Sequence, residues 1–234
     1  MVAFSGQTPA PAPPAAAESH KPLRHLEYAF AIHRDGLSGA EFNGNYELLE
    51  FGNTGLTGDG GSGTMRVDVL SIASDGALVV QISEWVKLDA RPRQAYTCTV
   101  YGDTTVVCPS IPAPSQGEWL LLSYLGRQFV DGAPWDARQH WQHTRHAAHY
   151  DLVADFTLLP ESDAKRAMIR EMKVVSVHNG GSSKQRDDVT ITYDRTMEIP
   201  DAVHDDFTAA ADDEANTGHA TFDFQLVTDS FAKS

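Results

Sequence analysis

The chain has 234 residues, of which 41% are hydrophobic and 21% are charged, a composition typical of a folded globular protein. Its formal net charge is −14. An acidic surface of this size repels phosphate backbones and anionic lipid headgroups, so the charge argues against a nucleic-acid partner. The sequence has no run of about eighteen apolar residues, so we expect no transmembrane segment.

The N-terminal region differs in composition from the rest of the chain. Ala10–Ala17 is composed only of Ala and Pro, which is typical of an extended, mobile linker. No basic residue occurs before His20 and Lys21, so a complete signal peptide is not recognisable. Such linkers often follow an export signal or a lipid anchor, and we expect a signal peptide that is missing or truncated; an ordinary cytoplasmic tail is the alternative. The predicted organisation is a disordered Pro/Ala-rich tail at residues 1–23 and a single β-rich domain at residues 24–234.

Extended segments begin directly after this tail. In His25–Arg34 the apolar residues fall at every second position, which is the period of a half-buried strand. A second extended run is expected at Asn45–Phe51. Gly52–Gly63 is rich in glycine and predicts a flexible loop.

The stretch Gly63–Pro109 predicts two β-hairpins. In the first hairpin, the strands Met65–Ile72 and Leu78–Ser83 are joined by the turn residues Ser74-Asp75-Gly76. The apolar phase changes at Leu70, which indicates a β-bulge or burial of both faces.

The second hairpin carries both cysteines of the chain. A loop of three residues, Gly102–Thr104, would place Val100 opposite Val106 and Cys98 opposite Cys108. Directly opposite Cβ atoms lie about 4.5–5.5 Å apart, close to the separation of about 3.5–4.5 Å in a disulfide. We therefore predict a cross-strand disulfide, which agrees with export. The alternative is two buried free cysteines.

One segment has the period of a helix. Ser115 and Glu118 match a capping box, and Trp119–Val130 follows with apolar residues at helical spacing. Asp131-Gly132 is expected to end this helix. Its broad apolar face predicts that it packs on a sheet.

The second half of the chain returns to strands. Alternating apolar residues predict strands at Tyr150–Leu158, Met168–His178, Val189–Asp194 and Phe222–Leu226. Asp201–Thr217 is acidic and rich in alanine, which predicts a loop with at most a short helix.

Together these segments predict a mainly β protein. About nine strands in neighbouring hairpins favour one large curved antiparallel sheet, half-barrel or barrel-like, with one central helix packed on it. The long meandering strands, the single helix near the middle and the Pro/Ala tail resemble the LolA/LppX-like extracytoplasmic lipoprotein carriers over most of residues 24–229. The resemblance implies an apolar cavity in the concave face of the sheet, although this chain offers fewer helices to cover it.

Four histidines, His140, His143, His146 and His149, are each three residues apart. On a helix, two or three of them would share a face and converge on a zinc or copper ion. On a strand, successive members of the series would point to opposite faces, and the sequence Trp-Gln-His-Thr-Arg-His looks more extended than helical. A metal site and a solvated edge strand both remain open, and no other cofactor is indicated.

The chain contains neither a Gly-x-Ser-x-Gly nucleophile motif nor a His-Glu-x-x-His zinc motif. The long strands, the apolar inner face, the Pro/Ala tail and the predicted disulfide lead us to favour a non-enzymatic extracytoplasmic binding protein, whether periplasmic, secreted or lipid-anchored. Its concave apolar sheet face would hold a lipid-like ligand or a partner protein. Two alternatives remain: a metal-binding protein or metal-dependent enzyme built on the histidines, and a structural or surface-assembly subunit.

Overall fold

The computed structural model describes residues 21–35, 60–87, 94–102, 104–109, 114–126, 140–146, 150–177, 183–195, 199–211 and 217–231. Within these ranges the chain forms one antiparallel sheet of eleven strands and one helix, α1. The predicted run Asn45–Phe51 lies outside them. The elements are β1 Arg24–Asp35, β2 Gly60–Ile72, β3 Leu78–Val86, β4 Tyr96–Val100, β5 Val106–Val107, α1 Gln116–Gly126, β6 His140–His146, β7 Tyr150–Leu158, β8 Arg166–Val177, β9 Ser183–Asp194, β10 Ile199–Ala211 and β11 Thr217–Asp229.

The strands follow one another as a continuous meander. Most strands pair with their neighbours in sequence, and β1 also pairs with β11, which gives the order β5-β4-β3-β2-β1-β11-β10-β9-β8-β7-β6. The two end strands, β5 and β6, are therefore the strands that precede and follow α1 in the chain. The prediction of a mainly β protein with one large antiparallel sheet and one helix is confirmed.

The sheet is curved around α1. The helix contacts β3, β4 and β5 and also β10. β5 and β10 are six strand spacings apart, about 29 Å along a flat sheet, whereas a helix is only about 10–12 Å across. One helix can reach both strands only if the sheet bends around it. Residues 117–126 are accordingly buried on every side of the helix.

The start of α1 is fixed by the predicted capping box. The Ser115 N–H donates to Glu118 Oε2 at 2.8 Å, and the Glu118 N–H donates to Ser115 Oγ at 3.1 Å. The Ser115 hydroxyl also donates to Glu84 Oε2 on β3 at 2.6 Å. The helix begins at Gln116, three residues before the predicted start, and the predicted end at Asp131-Gly132 lies outside the described residues.

The β2–β3 hairpin forms as predicted. Gly76 has a φ of 87°, and the Ala77 N–H donates to Asp75 Oδ1 at 3.1 Å. The register between the strands shifts between Val69 and Ser71, which confirms the bulge at Leu70.

The β4–β5 hairpin has the register that a three-residue loop requires. Val100 lies opposite Val106, and the disulfide Cys98–Cys108 is present with its Cα atoms 4.3 Å apart. Thr104 has a φ of 72° at the end of the loop, where the chain turns back into β5. The predicted disulfide is confirmed.

Two loop predictions are wrong. The segment expected to be a loop at Asp201–Thr217 forms most of β10, because Val203 and Phe207 alternate inward with Asp205 between them. A carboxylate at a core position disguises the period of two. In Gly52–Gly63, the last four residues belong to β2. Glycine at position 63 lets the backbones of β2 and β3 approach closely, because a Cβ there would lie only 2.0 Å from the Trp85 carbonyl oxygen.

Candidate binding site on the concave face

Two rows of side chains cross the concave face of β6–β10. Each row consists of residues at directly opposite positions on adjacent strands, so their side chains point to the same face. The first row contains Trp141, Phe156, Glu171, Val189 and Asp205, and the second contains His143, Ala154, Lys173, Asp187 and Phe207.

A buried ion pair lies in the second row. Lys173 Nζ and Asp187 Oδ2 are 2.8 Å apart, and their side chains are 6% and 3% exposed. Charges this far from water are stable only when they are paired and hydrogen-bonded. The ion pair therefore links β8 to β9 on the concave side of the sheet.

Asp205 connects the same region to the helix. The Tyr124 hydroxyl on α1 donates to Asp205 Oδ2 at 2.6 Å, and the Tyr193 hydroxyl on β9 donates to the Tyr124 carbonyl oxygen at 2.8 Å. All three side chains are almost completely buried. Two phenol hydroxyls thus fix the second half of α1 against β9 and β10.

Burial raises the pKa of the Asp205 carboxyl well above its usual range. The negative charges of Asp187 and Glu171 raise this pKa further, whereas the Lys173 charge and the hydrogen bond from Tyr124 lower it. Burial disfavours the charged form of any carboxylic acid, and the carboxylates nearby outnumber the single ammonium group. The site therefore favours a protonated, neutral Asp205.

Trp141 and Phe156 form a stacked aromatic pair beside the polar cluster of Glu171, Lys173, Asp187 and Asp205. Their rings are stacked, with centroids 5.3 Å apart and planes 7° from parallel. Trp141 remains partly exposed, but its Nε1 atom is buried and has no hydrogen-bond partner among the described residues. Leaving a buried donor unpaired costs about 1–3 kcal/mol, so the indole N–H is a group that a ligand with an acceptor could satisfy.

The concave face therefore has two parts. Over β3, β4, β5 and β10 it is in contact with α1, in which residues 117–126 are buried. At the β6 end of the sheet, the inward side chains Trp141 and His143 are still partly exposed. We call the partly exposed Trp141 and His143, together with the buried Phe156 and Lys173 next to them, the β6–β8 wall.

The histidine series is divided between the two faces of β6. His143 points to the concave face, whereas His140 and His146 point outward. His146 Nδ1 lies 2.6 Å from Asp151 Oδ1, and His140 Nδ1 lies 3.4 Å from Thr157 Oγ1. His149 is outside the described residues. In the part of the chain that the structure describes, no group of three or more His, Cys, Asp or Glu side chains is arranged to hold a metal ion.

The periodicity of β8 and β10 contains a signal for the polar cluster. In β8, Glu171 and Lys173 fall in phase with Ile169 and Val175, so alternation places two charges on the apolar side of the strand. Asp205 has the same relation to Val203 on β10. A charged residue at a core position of a strand indicates a buried pair or a functional site.

The fold and this wall define a class of protein: a curved antiparallel sheet with a helix inside it and an amphipathic concave surface at one end. No family model matches the sequence, and no curated protein matches it. Among the described residues, no helix is both long and apolar enough to cross a membrane.

Proposed function

We propose that the protein is a non-enzymatic extracytoplasmic binding protein whose β6–β8 wall holds an amphipathic ligand. The observation that carries this proposal is the buried Trp141 N–H with no acceptor among the described residues. A ligand that places an acyl chain on the Trp141–Phe156 stack and an ester or hydroxyl oxygen at Nε1 would satisfy this donor.

The shape of the surface supports a small ligand in particular. The indole of Trp141 is partly exposed and stacks on the buried ring of Phe156, and the partly exposed His143 lies in the neighbouring row beside the buried Ala154. Ligand sites combine apolar groups with a few placed polar groups, and the β6–β8 wall offers the indole of Trp141 beside the imidazole of His143.

The extracytoplasmic location is the second part of the proposal. The Cys98–Cys108 disulfide supports it, because structural disulfides persist in oxidising compartments and are rare in the cytosol. The architectural resemblance to the LolA/LppX-like carriers, which bind apolar groups on the concave face of a curved sheet, points in the same direction.

The proposal is tested by titrating the purified protein with monolaurin, a single-chain uncharged amphiphile, below its micelle concentration and following the heat of binding. We expect saturable binding by the wild type. Trp141→Phe keeps the aromatic stack but removes the N–H, so it should weaken binding about tenfold, the equivalent of one hydrogen bond. Trp141→Ala removes both features and should abolish measurable binding.

Trp85→Phe is the matched control, because Trp85 lies on the outer face and is half exposed. This variant should bind monolaurin as the wild type does. Absence of saturable binding, or equal affinity in the wild type and Trp141→Ala, would refute a ligand site on the β6–β8 wall.

A further inference from the structure

The side chains of Lys173 and Asp187 form an ion pair whose two groups can also react with each other. The residues lie directly opposite each other on β8 and β9, and Lys173 Nζ is 2.8 Å from Asp187 Oδ2. Asp187 Cγ is one bond further on, and reacting atoms in a near-attack conformer are about 3–3.5 Å apart. The fold therefore holds an amine nitrogen against the carboxyl group with which it would form an amide.

The surroundings of the Lys173–Asp187 pair favour the uncharged forms that react. Both side chains are almost completely removed from water. Burial takes away the hydration of an ammonium and a carboxylate, so the transfer of a proton between them, which leaves an amine and a carboxylic acid, costs less than it does in water. Exclusion of water also protects the amide product from hydrolysis.

A buried acid lies beside the pair. Asp205 on β10 is directly opposite Val189, so it is a diagonal neighbour of Asp187 on the same face of the sheet, at about 7–8 Å between Cα atoms. After burial, the charge of Asp187 is the largest cause of the raised pKa of the Asp205 carboxyl, which indicates that the two carboxyl groups are close.

The two oxygens of Asp205 have different surroundings. Oδ2 accepts a hydrogen bond from the Tyr124 hydroxyl at 2.6 Å, whereas Oδ1 is buried and has no hydrogen-bond partner among the described residues. Because Tyr124 already occupies Oδ2, a proton on the Asp205 carboxyl is expected on Oδ1. This acid can therefore give a proton to an oxygen that leaves the neighbouring Asp187.

We propose that Lys173 and Asp187 become joined by an isopeptide bond inside the folded protein, with Asp205 as the proton carrier. The ion pair is the reactant, and Nζ first gives a proton to the Asp187 carboxylate. The Nζ lone pair then attacks Cγ and forms the C–N bond. One C–O bond breaks, and its oxygen leaves as water with a proton from Asp205. The nitrogen gives its surplus proton back to Asp205, so the sum is amine plus carboxylic acid to amide plus water.

The test is the intact mass of the purified protein after its disulfide has been reduced and the chain unfolded. We expect the wild type to be lighter than its sequence by one water molecule. Lys173→Met and Asp187→Ala should each have the full mass of their sequence. Arg170→Met, which changes the exposed pair on the outer face of the same two strands, should keep the loss of water. The step needs no ligand on the β6–β8 wall, so this result is independent of the amphiphile site.

Tryptic peptides locate the bond. Trypsin does not cleave after an acylated lysine, so the digest should contain the peptide Glu171–Lys184 joined to the peptide Asp187–Arg195. Without the bond, cleavage after Lys173 gives separate peptides. A succinimide at an Asp-Gly sequence also loses water, but that loss would persist in Lys173→Met.

Asp205→Asn tests the proton carrier. Asparagine can still accept the hydrogen bond from Tyr124 but has no proton to give to the leaving oxygen, so bond formation should slow about a hundredfold in a variant with a native circular dichroism spectrum. Asp206→Asn, on the outer face, is the matched control and should lose water as the wild type does. Equal rates in wild type and Asp205→Asn would overturn the role of Asp205. The isopeptide bond is overturned if the wild type has the full mass of its sequence, or if the loss of water persists in Lys173→Met or Asp187→Ala.

Discussion

The ion pair of Lys173 and Asp187 shows how strongly the stability of this interior can depend on one residue. Each side chain is almost completely removed from water, and each compensates the charge of the other across a distance of 2.8 Å. The same two strands carry a second pair, Arg170 and Asp188, on the outer face. The contributions of a buried and an exposed ion pair to stability can therefore be compared on the same two strands.

Lys173→Met should lower the free energy of unfolding by about 3–5 kcal/mol, because it leaves the Asp187 carboxylate buried without its counter-charge. Urea denaturation at neutral pH measures this change. Arg170→Met is the matched control and should cost less than about 1 kcal/mol, since its pair is exposed to solvent. Equal losses in the two variants would contradict the assignment of a buried pair.

Asp205 should make stability depend on pH. Its pKa is raised in the folded protein, mainly by burial, so the folded state holds a proton that the unfolded state releases. Its stabilising effect is complete below the ordinary carboxyl pKa and is lost as pH rises towards the folded pKa. Within that window, the wild type should lose about 1.4 kcal/mol per pH unit relative to Asp205→Asn.

Urea denaturation at a series of pH values from acid to neutral compares these two proteins. Asp206→Asn provides the control, because Asp206 is the next residue, lies on the outer face and pairs with His219. That variant should keep the pH slope of the wild type. A slope in Asp205→Asn that matches the wild type would show that the Asp205 carboxyl is not held neutral.

At the scale of elements, α1 and the β4–β5 hairpin are fitted closely to each other. A Cβ at Gly126, the last residue of α1, would lie 2.4 Å from the Tyr101 carbonyl oxygen. Backbone cannot move aside as a flexible side chain can. Gly126→Ala should therefore destabilise the protein by about 1–3 kcal/mol despite the better helix propensity of alanine.

Thermal unfolding of Gly126→Ala and Gly61→Ala provides the measurement. At Gly61 on β2 the nearest atom to an added Cβ would be 3.8 Å away, an ordinary contact. Gly61→Ala should therefore unfold close to the wild-type temperature. If Gly126→Ala did so as well, the close approach of α1 to the hairpin would be wrong.

The Cys98–Cys108 disulfide also stabilises the β4–β5 hairpin. Cys98 and Cys108 close a loop with a sequence separation of 10. Loop closure of this length restricts the unfolded chain by about 2–3 kcal/mol. The double variant Cys98→Ala, Cys108→Ala should lose that amount in urea denaturation, and a reducing agent should then have no further effect on it. A variant as stable as the oxidised wild type would contradict this role.

Local signals explain which elements the sequence predicts well. The β2–β3 turn, the capping box of α1 and the register of Cys98 with Cys108 each depend on residues close together in the chain. The sequence does not predict β10, because Asp205 occupies a core position and its partners Tyr124 and Lys173 lie far away in the sequence. The polar cluster depends on strand order and curvature, which periodicity does not contain.

At the scale of the whole molecule, the curvature of the sheet gives its two faces different surroundings. The concave face is filled by α1 along part of its length and offers the β6–β8 wall at one end. The outer face carries charged pairs such as Arg170 with Asp188 and His219 with Asp206. Three of the four tryptophans report on different regions, since Trp141 lies on the wall, Trp85 on the outer face and Trp119 within the buried helix.

Fluorine NMR of protein labelled with fluorotryptophan, titrated with monolaurin, tests the central claim most directly. Each Trp→Phe variant assigns one resonance. Binding on the β6–β8 wall predicts a saturable shift of the Trp141 resonance, with the Trp85 and Trp119 resonances unchanged. A Trp141 resonance that does not move at saturating monolaurin, or a shift confined to Trp85, would contradict the proposed site.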